Sequence, residues 1–228
     1  MFKLTPLGDW AIQVQFGYEI SNAVFDQVQT FSDKIRRCQD KRVLDVVPAY
    51  TSVTVFYQTW VSYNQMADWA HQLYTEEPVR NHVLTNPRLV EIPVCYGGKF
   101  GPDLDYVASY HRLSVDDVIS KHTTPLYMVY MIGFMPGFPY LGGLDPRLAT
   151  PRLSSPRSIV QKGSVGIAGG QTGLYPLESP GGWQLLGRTP KKMFNVLTNP
   201  PTQLQSGDHV SFVAINEEEF WEIEENTP

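Results

Sequence analysis

From residue 131 to residue 190 the chain reads MIGFMPGFPYLGGLDPRLATPRLSSPRSIVQKGSVGIAGGQTGLYPLESPGGWQLLGRTP. Together with Tyr130, this segment holds 12 of the 18 glycines and 8 of the 18 prolines. Aromatic and β-branched residues are interspersed among them, which favours short strands joined by tight turns over disorder. The segment is also locally basic, although the whole chain has a net charge of −5. These features predict a β-rich fold with an electropositive surface.

The length and composition limit the class of protein. At 228 residues the chain can form one large or two small domains, and we expect two. With 42% hydrophobic and 18% charged residues it resembles a folded soluble protein, and no apolar run approaches the ~20 residues of a membrane span. Its beginning, MFKLTPLGDW, lacks the apolar region of a secretory signal. We therefore expect a cytoplasmic protein that does not associate with membranes.

Cysteine, histidine and charge patterns exclude several further classes. Cys38 and Cys95 lie far apart and outside any CxxC pair, so we expect reduced thiols. The five histidines show neither HExxH nor another ligand spacing, so we expect no metal site. The net charge of −5 and a pI near 5.5 argue against nucleic-acid binding.

The first part of the chain has the pattern of a small α+β domain. Ser21 is a plausible helix cap, and Ser62 with Gln65 forms a capping-box pattern. The resulting order β-α-β-β-α predicts helices on one side of an antiparallel sheet. The predicted elements are a turn at residues 6–9, a strand at 10–16 with Trp10, Ile12, Val14 and Phe16 on its buried face, a helix at about 20–37, strands at 43–47 and 51–57, and a helix from residue 62.

The polar, proline-containing stretch TEEPVRNHVLTNP at residues 75–87 is the best candidate boundary. We place the domains at 1–87 and 88–228. Many short strands and few helices in the second part predict a closed or nearly closed β-barrel. The predicted strands are 89–94, 127–134, 158–160, 164–167, 183–186 and 210–214, with short helices after residue 103 and from Ser114, and an acidic tail held by Phe220 and Trp221.

Three Pro-Arg steps, ending at Arg147, Arg152 and Arg157, are spaced five residues apart, and Lys162 follows five residues later. Proline favours an extended backbone around it, so these side chains should project from a stiff loop. Arginine suits carboxylate or phosphate groups, which predicts an anion or partner site. The alternative is that these side chains lie along apolar barrel surface or pair with Glu178 and the acidic tail.

Other motifs have structural explanations. The glycine-rich run at 163–170 matches neither a dinucleotide fingerprint nor a P-loop, and is better explained by a sharply bent strand. Ser164 lacks the preceding glycine of a nucleophile elbow. Carboxylate pairs at 103/105 and 116/117 fall where helices should begin, so capping is the favoured interpretation. The ridge GFMPGFPYL at 133–141 fits both a concave binding surface and core packing.

Long ordered motifs carry a resemblance to a known family. The chain resembles the allophanate hydrolase subunit 1 family over nearly its full length, and this family includes the B subunit of 5-oxoprolinase and a sporulation kinase inhibitor. The resemblance implies an α+β chain with a small N-terminal α+β domain and a C-terminal cyclophilin-like β-barrel. The motifs are PLGDWAIQVQFG, VVPAYTSVTVFY, IPVCYGG, GPDLDYVA, YMIGFMPGFPYLGGLD, PRLSSPR, GSVGIAGGQTGLYP, SPGGWQLLGRTP and GDHVSFVAI.

The same resemblance implies a function. It suggests the B subunit of an ATP-dependent 5-oxoprolinase, a hydrolase that opens 5-oxo-L-proline to L-glutamate with the help of a homologous barrel protein, the C subunit, and of the A subunit. We expect the chain to be inactive alone and to bind no cofactor by itself, with ATP used by the complex. Two alternatives stay open: an inhibitor of a sensor histidine kinase, and a component of an enzyme for allophanate or another urea-derived substrate.

The resemblance places several residues in or beside a groove but assigns no catalytic residue. We hypothesise that Arg152, Arg157 and Lys162 hold a carboxylate or a phosphorylated intermediate. Backbone N–H groups around Gly169 and Gly170 are candidates to stabilise an oxyanion. The predicted substrate or anion residues are Arg152, Arg157, Lys162, Gln171 and Arg188, and the predicted groove wall or partner surface is Phe134, Pro136, Phe138, Tyr140, Tyr175 and Trp183.

Overall fold

The computed structural model of the chain describes residues 2–75 and 87–226. The chain divides into two compact units, Met1–Thr85 and Asn86–Pro228. The predicted boundary at residue 87 adjoins residues 76–86, which lie outside the described residues, and it stays a prediction. Among the described residues, no helix has both the length and the apolar character that a membrane crossing requires.

The first unit is a four-stranded antiparallel sheet with two helices packed on one face. Its strands follow the order β1-β2-β4-β3. Buried residues from β2 and β4 pack against apolar residues of both helices. The elements are β1 (Lys3–Pro6), β2 (Ala11–Gln15), α1 (Asn22–Cys38), β3 (Val43–Pro48), β4 (Ser52–Tyr57) and α2 (Tyr63–Thr75).

Local signals set the ends of these helices. Ser21 accepts a hydrogen bond from the Val24 backbone N–H, and Ser62 and Gln65 form the reciprocal capping box. Both predicted caps are therefore confirmed. The predicted burial of Trp10 is wrong: it precedes β2 and is 49% exposed, because its ring lies beside Phe56 and outside the helix-covered core.

The second unit is built around a closed β-barrel, and the predicted fold class, α+β with a C-terminal β-barrel, is confirmed. Within the described residues, seven strands close in the order β10-β7-β6-β13-β5-β12-β9. All neighbouring pairs are antiparallel except β5 and β13. The barrel strands are β5 (Leu89–Tyr96), β6 (Tyr127–Ile132), β7 (Pro139–Gly142), β9 (Ser164–Ala168), β10 (Gln171–Leu174), β12 (Gln184–Arg188) and β13 (His209–Ile215).

Other elements cover parts of this barrel. The predicted strand at 158–160 is not a barrel strand: β8 (Arg157–Val160) pairs with β11 (Ser179–Gly181) in a separate two-stranded ribbon. Helices α3 (Leu104–His111) and α4 (Val115–Thr123) add apolar residues to the barrel core. Helix α5 (Glu217–Asn226) is held by Phe220, whose fully buried ring lies 4.6 Å from that of Phe100.

Alternation along the strands separates the barrel interior from its outer face. Val165 and Ile167 of β9 and Leu174 of β10 belong to the interior core. Gly166 and Gly173, one residue along from these, therefore face outward. Strand β9 is paired on both sides and buried throughout, and a Cβ at Gly166 would lie 2.8 Å from the Gln184 carbonyl oxygen. The glycine-rich run therefore forms a strand that another backbone approaches closely, while a sharp bend stays a prediction.

Candidate functional site

The outer face of β7, β9, β10 and β12 carries a cluster of aromatic side chains that we call the aromatic groove; it comprises Phe138, Tyr140, Tyr175 and Trp183. Two glycines make room for it. A Cβ at Gly173 would lie 3.1 Å from Cζ3 of Trp183 and 2.8 Å from the carbonyl oxygen of Pro139. A Cβ at Gly166 would lie 3.4 Å from Cβ of Trp183. Trp183 can therefore lie directly on the sheet.

The four rings contact one another mainly edge to face. The Phe138 ring centroid lies 5.4 Å from that of Trp183 at 88° and 5.2 Å from that of Tyr175 at 83°. Tyr140 lies 5.0 Å from Phe138 and 6.3 Å from Trp183. Tyr140 is half-buried while the other three are buried. Tyr140 is thus partly exposed above a packed aromatic base.

Burial affects the chemistry of the two phenols. It raises the pKa of Tyr140 and of Tyr175, and the nearby positive charge of Arg152 offsets part of each rise. Both phenols therefore keep their protons at neutral pH. The groove wall combines apolar rings with polar tips.

Of the predicted wall residues, Phe134 and Pro136 lie further out. Phe134 is 65% exposed with a positive φ of 70°, and its ring contacts that of Phe138 at 5.5 Å. Pro136 is also exposed. These two residues form an apolar rim next to the groove. Core packing of the ridge is confirmed for Phe138, whereas a binding role for Phe134 stays a prediction.

Arg152 is the predicted cation that the structure leaves available at the groove. Its guanidinium carbon lies 6.0 Å from the centroid of the Trp183 ring. Its backbone is fixed on both sides, because Gln184 Nε2 donates to the Pro151 carbonyl and the Leu153 N–H donates to the Gly182 carbonyl. Within the described residues its side chain has no hydrogen bond or ion pair. An exposed arginine with unused donors, on a backbone that is held at both neighbouring residues, is suited to a carboxylate.

Arg157 is engaged by a carboxylate of the protein itself. Its Nη2 donates to Asp103 Oδ1 at 2.6 Å, and its Nη1 donates to the Trp183 carbonyl at 3.3 Å. Asp103 Oδ2 also accepts from the Leu185 N–H at 2.7 Å. Arg157 and Asp103 therefore clamp the backbone around Trp183. Direct contact between Arg157 and a ligand stays a prediction.

Asp103 also corrects an interpretation from the sequence. It stands at the start of α3, but its side chain makes no capping bond, because both oxygens are used in the clamp. Asp117 does cap: it forms a capping box with Ser114. In the first Pro-Arg step, the Arg147 guanidinium donates to both carboxylate oxygens of Asp145. These hydrogen bonds lower the pKa of that carboxyl to about 2.

Lys162 and Arg188 lie at the other end of the β9-β12 pair from Trp183. Arg188 pairs with Ser164 at the start of β9, whereas Gln184, next to Trp183, pairs with Ile167 near its end. Arg188 lies over the Phe100 ring at 5.1 Å and the Phe220 ring at 4.9 Å. Lys162 lines a separate cavity. The predicted set of five anion-binding residues is therefore not brought together in one place.

Gln171, the remaining residue of that set, is on the groove side. It opens β10, is half-buried, and pairs with Ala168, whose side chain belongs to the aromatic cluster. Paired residues in antiparallel strands share a face, so Gln171 shares the outer face with Tyr140.

One of the proposed oxyanion donors is already hydrogen-bonded within the protein. The Gly169 N–H donates to the Thr150 carbonyl at 2.7 Å, so it is not available to a ligand.

Inside the barrel, a polar chain leads to the groove floor. Thr172 Oγ1 donates to the Gly166 carbonyl at 3.1 Å, so it accepts from His122 Nε2 at 2.9 Å. His122 Nδ1 then accepts from the Tyr96 hydroxyl at 2.7 Å. Burial lowers the pKa of His122 to about 3, so the imidazole is neutral. Sequence reasoning missed this chain because its members lie far apart in sequence.

Among the described residues, no group of histidine, cysteine, aspartate or glutamate side chains could hold a metal ion. One buried polar atom near the groove, Gln184 Oε1, has no hydrogen-bond partner among the described residues, although its Nε2 fixes the Arg152 loop. In the sequence Gln184 is only an uncharged polar residue within an apolar strand. Nothing in a single sequence predicts its burial or its hydrogen bond to the Pro151 carbonyl.

The chain is similar to known proteins in sequence. The family model of the carboxyltransferase domain, subdomain C and D, matches residues 2–204. The B subunit of the 5-oxoprolinase of Bacillus subtilis (strain 168) is 44% identical over an alignment of 237 residues that covers 99% of this chain and 98% of that protein.

The chain is also similar to solved structures. A conserved uncharacterized protein from Pyrococcus horikoshii is 47% identical, with a TM-score of 0.58 over 96% of this chain and 100% of that one. The Kluyveromyces lactis urea amidolyase is 21% identical, with a TM-score of 0.81 over 99% of this chain and 15% of that one, a likeness of fold alone.

Proposed function

The chain belongs to the family of the carboxyltransferase domain, subdomain C and D, and on that basis we propose that it is the B subunit of an ATP-dependent 5-oxoprolinase. The observation that carries the proposal is the 44% identity to the B subunit of a 5-oxoprolinase over 98% of that protein's length. The proposed complex also contains the homologous barrel protein, the C subunit, and the A subunit. Turnover is not expected of this chain alone.

The proposed reaction adds water across the lactam C–N bond of 5-oxo-L-proline. The carbonyl carbon gains the hydroxyl, the nitrogen gains the proton, and the product is L-glutamate. ATP hydrolysis by the complex drives this ring opening. The substrate is a small ring with one carboxylate, so its site needs a cation and an apolar wall.

The aromatic groove has the chemistry for such a ligand. Arg152 can bind the carboxylate through its unused donors, while Tyr140, supported by the buried ring of Trp183, provides a wall for the substrate ring. Arg157 acts through Asp103 and the Trp183 carbonyl, and so positions the wall without touching the substrate.

An assay of the assembled complex tests this proposal. The chain is co-expressed with the A and C subunits, and glutamate release from 5-oxoproline is measured with and without ATP. We expect ATP-dependent release that disappears when this chain is omitted. An assembled complex that releases no glutamate, or that turns over allophanate instead, would refute the proposal. No feature of the described residues specifically favours the kinase-inhibitor alternative.

A further inference from the structure

A concave site lies apart from the aromatic groove. It is a cavity of about 220 Å³ that shares no lining residue with the groove. It sits where the start of β9 meets the end of β12, and α5 contributes one wall. The residues that matter for its chemistry are Lys162, Thr189, Lys191, Lys192, Phe194 and Glu224.

The cavity is electropositive in an acidic chain. Three lysines and one glutamate line it, which gives a formal charge of +2 (three minus one), whereas the whole chain has −5. The fold brings these lysines together from two separate segments, because Ser164 pairs with Arg188 and so places Lys162 near residues 189–192. The three lysines are exposed, and the positive potential that they share favours an anion in the concavity.

The backbone under the cavity is rigid. The Gly163 N–H donates to the Tyr175 carbonyl at 2.6 Å, and the Thr189 N–H donates to the Gly163 carbonyl at 2.9 Å. Gly163 has a φ of +82°, and a Cβ there would lie 2.4 Å from the Thr189 carbonyl oxygen. Glycine is therefore required at this crossing, and the lysines beside it extend from a fixed base.

Several donors in the cavity are available to a ligand. Lys162 has no hydrogen bond or ion pair within the described residues. Lys191 Nζ donates one proton to the Glu91 carbonyl at 2.8 Å, which fixes the ammonium and leaves two protons. The hydroxyl of Thr189, which is 3% exposed, accepts from the Lys191 N–H at 3.3 Å and can still donate its own proton.

We propose that this lysine cavity binds a phosphoryl group, either as inorganic phosphate or as the end of a nucleoside triphosphate. Ammonium groups are point-charge donors of the kind that binds phosphate, whereas a planar carboxylate is better matched by an arginine fork. Among the described residues, no arginine lines the cavity. Glu224 on the opposing wall repels the anion and so weakens its binding. The inference does not depend on the proposed function.

The test measures binding of inorganic phosphate and of ATP to the full chain by calorimetry, at constant ionic strength set with chloride. For the wild type we expect a phosphate dissociation constant on the order of 1 mM. In the double variant Lys162→Gln/Lys191→Gln we expect binding about tenfold weaker, and in Glu224→Gln about threefold tighter. Lys41→Gln and Glu19→Gln, both at exposed positions elsewhere, control for bulk charge and should leave binding unchanged.

The two ligands distinguish the source of the phosphoryl group. Tighter binding of ATP than of phosphate, with no binding of adenosine, assigns the cavity to a nucleoside triphosphate; equal binding assigns it to free phosphate. The proposal is overturned if phosphate and ATP both fail to bind above the chloride control. It is also overturned if the lysine double variant binds as the wild type does, or if Glu224→Gln weakens binding. Unfolding temperatures in phosphate-free buffer verify that every variant is folded.

Discussion

Acidification should destabilise this protein through the buried imidazole of His122. In the folded protein its ring is enclosed by the barrel, hydrogen-bonded at both nitrogens and stacked on Phe212 at 4.7 Å. Burial lowers its pKa from 6.5 to about 3. Above pH 6.5 the imidazole is neutral in both the folded and the unfolded chain, so it contributes no pH dependence there.

Below that value the unfolded chain binds a proton that the folded protein excludes, and stability falls as pH falls, down to about pH 3. The slope is about 1.4 kcal/mol per pH unit. At about pH 4.5, two units below the unfolded pKa, the loss from His122 alone is therefore about 2.7 kcal/mol.

Urea unfolding, followed by circular dichroism from about pH 7.5 to about pH 4.5, measures this loss when wild type and His122→Gln are compared. Other titrating groups contribute equally to both proteins and cancel in the difference. The variant is expected to be less stable at neutral pH but to lose about 2.7 kcal/mol less on acidification. Parallel pH profiles for the two proteins would show that the buried neutral imidazole has no such role.

Three further changes probe the groove and the tail. Gly173→Ala should destabilise by about 1–3 kcal/mol and alter near-ultraviolet circular dichroism, because its Cβ would meet the Pro139 carbonyl and the Trp183 ring; an unchanged spectrum would contradict the packing. Arg157→Ala should cost about 2–4 kcal/mol in urea unfolding, and a double-mutant cycle with Asp103→Asn should give a coupling of at least about 1 kcal/mol; additivity would exclude the clamp. Phe220→Ala should cost about 3–5 kcal/mol and expose the end of the chain to proteolysis, and protease resistance like that of the wild type would refute the role of this side chain.

Much of the fold can be predicted from the sequence because the signals are local. The Ser62–Gln65 capping box and the Ser114 cap mark helix starts, and alternating β-branched residues mark β9 and β13. Strands β7, β10 and β11 are three or four residues long and contain glycine or proline. Long-range pairing in the barrel and in the ribbon stabilises them, and a single sequence carries no signal for that pairing.

The candidate site shows the same division between local and distant information. The five-residue spacing of the Pro-Arg steps predicts exposed arginines but not their partners. Arg157 meets Asp103, 54 residues away, whereas Arg147 meets Asp145, two residues away. Lys162 continues the spacing, yet strand register places it at the end of β9 remote from Trp183. Position along an extended chain therefore does not determine which arginine reaches the groove.

The role of Arg152 in a 5-oxoprolinase is the central claim, and a matched pair of variants tests it most directly. In the complex with the A and C subunits, kcat/KM for 5-oxoproline is measured for Arg152→Gln and for Arg147→Gln, whose native arginine is self-paired with Asp145. Loss of a charged hydrogen bond to the carboxylate should lower kcat/KM about 10- to 100-fold in Arg152→Gln and leave Arg147→Gln unchanged. Wild-type kcat/KM in an assembled Arg152→Gln complex would contradict the account.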